Sequence, residues 1–144
     1  ITTEIDDMNP EILPHVEKRL FALGALDVVR EPVFMKKGRV GTRLSVLCEE
    51  RARDEIASCI LRETSSFGVR VESVERIKLR RTSQIVETPF GPVAVKVGYW
   101  GERAIKVAPE FEDCARLADE TGVALQRVFE AARQAAGYLV EDES

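Results

Sequence analysis

The sequence predicts an α+β domain: a β-α-β-β-α-β core followed by a small β-hairpin region and two C-terminal helices. Three observations lead there. Ile12, Val16, Leu20 and Leu23 recur at helical spacing behind an Asn9-Pro10 helix start. Residues Thr42 to Cys48 alternate, with Leu44, Val46 and Cys48 on one face and Arg43, Ser45 and Leu47 on the other. Beyond residue 81 the pattern changes to short β-like runs joined by Pro- and Gly-rich turns, then to helical periodicity.

Ile1 to Ile5 is β-branched and reads as a short strand. Asn9 is a favoured N-cap and Pro10 a favoured first helical residue, and the helix runs to Gly24. Pro14 lacks an amide donor and is expected to tighten or delay the first turn. Leu26 to Met35 reads as a second strand interrupted near Pro32, and Thr42 to Cys48 as a third. Arg51 to Ser66 reads as a helix with Ala52, Ile56, Cys59 and Ile60 on one side, ended by Gly68. Val69 to Arg80 reads as a long fourth strand, with Val69, Val71, Ile77 and Leu79 on one face and Arg70, Arg76, Lys78 and Arg80 on the other. This order is the ferredoxin-like arrangement, assigned to residues 1–81. Residues 82–144 form an extension of the same domain: strands at Ser83 to Thr88, Val93 to Val97 and Ala104 to Val107, then helices at Phe111 to Glu120 and Ala124 to Ala136 divided by Gly122. Glu141 to Ser144 reads as a frayed acidic tail.

At 144 residues with 44% hydrophobic side chains, the chain has apolar material for a real core. A net charge of -4 argues against a general nucleic-acid binder. No apolar run reaches the roughly 18 residues that a membrane span needs. The three cysteines, Cys48, Cys59 and Cys114, lie far apart with no CxxC pair, so neither a disulfide framework nor a zinc site is expected, and a reducing cytoplasm fits. The chain opens at Ile1 inside a β-like run, as expected of a domain cut from a longer protein.

Two segments carry the chemistry. Ile5-Asp6-Asp7-Met8-Asn9-Pro10-Glu11 sets two carboxylates at a strand end, and Met35-Lys36-Lys37-Gly38-Arg39-Val40-Gly41 sets three cations on a Gly-punctuated loop. Carboxylates suit a hard divalent cation, and Lys and Arg suit phosphate oxygens, so the pair matches a metal–triphosphate ligand. Each segment also has a plain structural use: an Asp satisfying loop amides, and a solvated hairpin turn. The glycine spacing is not that of a P-loop. Arg62, Thr64 and Arg70 are further ligand candidates around the end of the second helix, although Arg62 also suits the helix dipole there. Lys106 and Glu110 flank Pro109 at the third helix, where Glu110 is either a metal ligand or a partner of the dipole. Cys114, Cys48 and Cys59 read as core residues and His15 as a helix-flank residue. Tyr99 and Trp100 lie on a hairpin tip, suited to stacking on a base or to a subunit contact.

Several segments together resemble the C-terminal domain of the nickel-insertion proteins (LarC) that complete the nickel-pincer cofactor of lactate racemase. They are the two above with Leu23-Gly24-Ala25-Leu26-Asp27-Val28, Val46-Leu47-Cys48, Arg62-Glu63-Thr64-Ser65, Gly68-Val69-Arg70 and Pro109-Glu110-Phe111-Glu112-Asp113-Cys114. The resemblance implies a CTP-dependent nickel chelatase, or cyclometallase, of the lyase class. It would activate a pyridinium bis-thiocarboxylate mononucleotide by cytidylyl transfer and then take Ni²⁺ as its substrate metal. It implies CTP binding with Mn²⁺ or Mg²⁺ in this part of the protein, and assembly into a homo-oligomer, trimer or hexamer. It also implies a larger N-terminal domain of the same protein, outside these residues. With one histidine, the 144 residues alone are not expected to complete the reaction. On this reading Lys36, Lys37, Arg39, Arg62, Arg70 and Lys106 bind nucleotide phosphate, and Asp6, Asp7 and Glu110 bind metal. No catalytic nucleophile is assigned. The rival reading is a non-catalytic module that senses a nucleotide or joins subunits.

Overall fold

The computed structural model describes residues 1–140, so the expected acidic tail lies outside the described residues. The chain divides into two compact units, Ile1–Glu75 and Arg76–Ser144. Both are mixed helix and strand, so the α+β class holds.

The first unit contains β1 (Thr2–Ile5), α1 (Leu13–Ala22), β2 (Ala25–Phe34), β3 (Val40–Cys48) and α2 (Arg53–Glu63). Its sheet has the order β1-β3-β2 and is antiparallel throughout. Asn9 caps as its sequence suggests: its Oδ1 accepts the Glu11 amide hydrogen at 3.0 Å. A single 3₁₀ turn, Pro10–Ile12, precedes α1, and Pro14 falls within the first two helical positions, where no amide donor is needed. Pro32 does not interrupt β2, because β2 is an edge strand and tolerates a missing donor. Val16 and Leu20 from α1, Leu44 and Val46 from β3, and Ile56, Cys59 and Ile60 from α2 form the buried core. Burial also pushes the Cys59 thiol above its ordinary pKa, as expected of a core residue.

The expected fourth strand is the main departure. Residues 71–79 carry no regular secondary structure, and Val71, Val74 and Ile77 are exposed. Only Arg70 pairs: its amide donates to the Thr2 carbonyl, and the Thr2 amide donates to the Arg70 carbonyl, both at 2.8 Å. In the antiparallel register that Thr2 and Arg70 set, residues 72–79 run past Ile1 and have no residue of β1 opposite them. The single bridge nevertheless sits where the fourth strand of a ferredoxin-like sheet belongs, beside β1. The cationic stripe expected along Arg70, Arg76, Lys78 and Arg80 therefore has no strand to carry it.

The second unit contains β4 (Arg80–Thr88), β5 (Gly91–Trp100), β6 (Arg103–Pro109), α3 (Phe111–Thr121) and α4 (Leu125–Ala135). Its sheet is an antiparallel meander in the order β4-β5-β6. Val93, Val95 and Val97 alternate on one face of β5 and are fully buried with Cys114, Leu117, Val128 and Ala132 from the helices. Gly122 ends α3 in the left-handed conformation at φ 69°, the usual reason for glycine there. Arg80 stacks over the Tyr99 ring at 4.2 Å, so Tyr99 is used within this unit, while Trp100 stays 60% exposed.

A charged cluster fastens Arg70 to β1. Glu4 lies opposite Arg43 in the β1–β3 register and accepts from Arg43 Nε at 3.1 Å, while Arg70 Nη2 donates to its other oxygen. The Arg70 hydrogen bond, supported by the one from Arg43 against the opposing effect of desolvation, holds the Glu4 carboxyl below its ordinary pKa. A carboxyl depressed on folding stabilises the fold at neutral pH, and that stabilisation fades as pH falls through the folded pKa. Glu4→Gln is therefore expected to lower the melting temperature at pH 7 by a few degrees. The gap from the parent should close as pH drops below about 4, in thermal melts followed by circular dichroism. A second test concerns Gly41, where a Cβ would stand 2.6 Å from both the Ile5 carbonyl oxygen and the Met35 sulfur. Gly41→Ala must part β1 from β3 and is expected to cost about 1–3 kcal/mol in denaturant unfolding.

Candidate functional site

The first unit holds a cavity of about 470 Å³, a size suited to a small ligand. Three separate stretches form it. Thr2, Thr3 and Glu4 on β1 continue into Asp6 and Asp7, where the strand ends in a bend. Met35, Lys36 and Arg39 come from the β2–β3 turn, and Ser65 to Arg70 come from the segment after α2. Sheet order brings them together: β3 runs beside β1, so the turn that starts β3 lies by the end of β1, and the Arg70 bridge closes the other edge.

The turn is shaped by backbone chemistry. Lys37 and Gly38 take left-handed conformations at φ 62° and 71°, and the Met35 amide donates to the Arg39 carbonyl at 2.8 Å. Glycine adopts this freely, whereas Lys37 does so at a cost of about 1 kcal/mol. On the far side, the buried Thr3 hydroxyl donates to the Gly68 carbonyl at 3.0 Å and contacts the Ser66 hydroxyl at 2.5 Å. This pins the 64–70 segment to β1 and leaves the buried hydroxyl satisfied.

The charges are arranged in pairs. Arg39 Nη1 donates to Asp6 Oδ2 at 3.3 Å, and Ser65 Oγ donates to Asp7 Oδ1. Arg43 and Arg70 share Glu4. Lys36 makes no ion pair among the described residues. The cavity thus presents hard oxygen donors at one end and guanidinium and ammonium groups around them. No His or Cys lines it. Among the described residues no group of three or more His, Cys, Asp and Glu side chains is placed to hold a metal. A cation at Asp6 and Asp7 would complete its shell from water or from a ligand's oxygens, which is how Mg²⁺-like ions commonly bind.

Of the ligand candidates singled out in the sequence, Asp6, Asp7, Lys36, Arg39 and Arg70 come together here, and five do not line the cavity, among them Thr64, whose hydroxyl donates to the Ile60 carbonyl at 2.7 Å. Lys37 sits in its left-handed turn conformation and is exposed. Arg62 is exposed in the last turn of α2, where it opposes the helix dipole. Lys106 lies on β6 opposite Gly98, and Glu110 precedes α3, its carboxylate held by Lys96 at 2.8 Å; both belong to the second unit. Sequence reasoning missed Glu4, Ser65, Ser66 and Phe67. Glu4 carried a signal, since strand alternation puts it beside Arg43 once the register is known. Phe67 carried none: it is fully exposed at 103%.

Comparison with known proteins gives these residues a context. The model of the nickel insertion protein family matches residues 1–129. The pyridinium-3,5-bisthiocarboxylic acid mononucleotide nickel insertion protein of Clostridium acetobutylicum is 46% identical over 131 residues, 91% of this chain and 31% of that protein. A putative nickel insertion protein of Geobacter metallireducens is 45% identical over 137 residues, 95% of this chain and 35% of its own. The chain thus spans about a third of the length of these curated relatives. Among solved structures, LarC2, the C-terminal domain of a cyclometallase involved in the synthesis of the nickel-pincer (NPN) cofactor of lactate racemase, superposes with a TM-score of 0.90 at 36% identity, covering 94% of each chain. Protein MK0293 of Methanopyrus kandleri shares the fold, with a TM-score of 0.61 at 24% identity over 93% of this chain and 83% of its own. On the match over residues 1–129 and these identities, the chain belongs to the nickel insertion protein family.

Proposed function

We propose that the first unit binds CTP together with Mn²⁺ or Mg²⁺, as the nucleotide-binding part of a nickel insertase. The observation that carries this reading is the meeting of Asp6 and Asp7 with Lys36, Arg39 and Arg70 around one cavity. Polyanion and counter-cation need opposite charges within one ligand's length, and residues from 6 to 70 supply them. The oxygen-only donor set suits Mg²⁺ or Mn²⁺ and does not suit a resident nickel ion, which favours imidazole or thiolate. Arg39 and Arg70 offer planar forks to phosphate oxygens, and Lys36 offers a compact point charge. When bound, the divalent cation supplies charge neutralisation of the triphosphate. The choice of CTP over other nucleotides rests on the family.

In the whole protein, the substrate is the pyridinium bis-thiocarboxylate mononucleotide, the type of compound that the relatives' names specify. Its carboxylate or thiocarboxylate attacks the α-phosphorus of CTP, a P–O bond to pyrophosphate breaks, and the cytidylyl adduct is activated for nickel. The cations of the cavity stabilise the charge that develops on pyrophosphate. Ni²⁺ is a substrate, delivered with the help of an N-terminal domain of the same protein. The working assembly is a homo-oligomer, trimer or hexamer, in the cytoplasm. No helix among the described residues is long and apolar enough to cross a membrane.

Calorimetric titration of the 144-residue chain with CTP and then ATP, each with and without Mn²⁺, tests this. CTP with Mn²⁺ is expected to bind and ATP to bind more weakly. At a hundredfold excess over Kd, CTP should stabilise the fold by about 2.7 kcal/mol, readable as a rise of several degrees in melting temperature. Asp6→Asn and Lys36→Ala should each weaken Mn²⁺–CTP about tenfold or more. A chain that ignores every nucleotide, with or without metal, would leave a purely oligomerising role.

A further inference from the structure

The ion pair between Arg39 and Asp6 occupies two groups that the proposed ligand needs, and it occupies them against each other. Arg39 Nη1 lies 3.3 Å from Asp6 Oδ2, with the Asp6 side chain 15% exposed and that of Arg39 52% exposed. The Asp6 side chain is therefore mostly covered, while about half of the Arg39 side chain faces solvent. Asp7 is similarly engaged by the Ser65 hydroxyl, and Arg70 by Glu4. The cavity's charged side chains pair with one another, and Lys36 is its one lining cation with no ion pair among the described residues.

We infer that Arg39 is a positioning residue that shields Asp6 from a lone cation and passes to a phosphate when metal and nucleotide arrive together. The inference rests on the reading of the cavity as a metal–triphosphate site. A divalent ion arriving alone at Asp6 must displace a guanidinium and sit beside it, a like-charge encounter. A triphosphate arriving alone meets the carboxylates of Asp6 and Asp7 while Arg39 is engaged by Asp6. When both arrive, the ion takes Asp6, Arg39 takes a phosphate oxygen, and each exchange removes the obstacle to the other. The result is positive coupling between metal and nucleotide, equal when read from either side. Exposed ion pairs are weak, so the shield is modest and easily opened.

The test separates the two halves of the exchange. Binding of Mn²⁺ alone is read from the loss of its free electron paramagnetic resonance signal, and CTP binding at saturating Mn²⁺ is read by calorimetry. Arg39→Gln should bind Mn²⁺ alone about two- to fivefold more tightly, since a competing cation of that strength is gone. The same variant should bind CTP about tenfold or more weakly, since a charge-assisted bond to phosphate is lost. Arg39→Lys, which keeps the charge, should hold Mn²⁺ affinity near that of the parent. Asp6→Asn gives an independent arm: with Arg39 released, inorganic tripolyphosphate without metal should bind about two- to fivefold more tightly than to the parent. Opposite signs for metal alone and metal with nucleotide support the exchange, because a merely structural arginine would weaken both. A parallel loss in Arg39→Gln, or Mn²⁺ binding unchanged, overturns the exchange while parental binding of Mn²⁺–CTP leaves the site intact. A parental chain that ignores Mn²⁺–CTP overturns the site itself and the exchange with it.

Discussion

The first unit depends on β1 being paired on both edges. It is the shortest strand, yet its amides bond β3 on one side and Arg70 on the other. Those bonds draw together residues 2–7, 35–39 and 65–70, stretches that a flexible chain would bring together only against a loop-closure cost. Everything chemical in the unit follows. The end of β1 delivers Asp6 and Asp7, the start of β3 delivers Arg39, and the bridge delivers Arg70. Gly41 makes the closest of these approaches, with no room for a side chain between the Ile5 carbonyl and the Met35 sulfur. Val16, Leu20, Ile56 and Ile60 pack with Leu44 and Val46 of the sheet in one buried core, but the edge bonds of β1 decide which loops become neighbours.

Charge is the second constraint, and it acts in opposition to the first. Backbone pairing concentrates three carboxylates and several cations at one end of a small sheet. Unpaired, like charges there would repel and strain the same edge. The unit answers with local pairs: Glu4 with Arg43 and Arg70, Asp6 with Arg39, Asp7 with Ser65. These pairs differ in strength. Glu4 is held by two arginines, firmly enough to lower its pKa, and fastens the bridge to the sheet. The Asp6–Arg39 pair has one contact, at 3.3 Å. A strong pair suits architecture and a weak one suits exchange with a ligand, so the difference separates a fastening from a site within a few ångströms of chain.

Much of this was legible in the sequence because periodicity and caps are local. The helices, the Asn9 cap, the alternation of β3 and the meander after residue 80 all follow from short windows, and the acidic strand end and cationic turn could be named from residue type alone. What failed was long-range. Val69 to Arg80 alternates like a strand, but whether it pairs depends on the register it takes against residues over 60 positions away. Arg62 and Glu110 look like ligands because they are charged at helix ends, and Lys106 because it stands close before one; none of the three lines the cavity, and Glu110 pairs with Lys96. Glu4 went unnoticed for the converse reason. Its importance lies in facing Arg43 across the sheet, and a register is not written in either strand by itself.

The same logic bears on the division of labour within the chain. The cavity draws its lining from the first unit alone, whereas the buried core of the second consists of apolar side chains with Cys114. That cysteine is fully buried and its thiol is pushed above its ordinary pKa by burial, so it behaves as a small hydrophobe and supplies no thiolate. Cys59 does the same in the first unit. The two buried cysteines among the described residues are thus packed away as protonated thiols. The cavity of the first unit is lined instead by the oxygen donors of Glu4, Asp6 and Asp7, with no cysteine among its lining residues, so hard donors and thiols are kept apart.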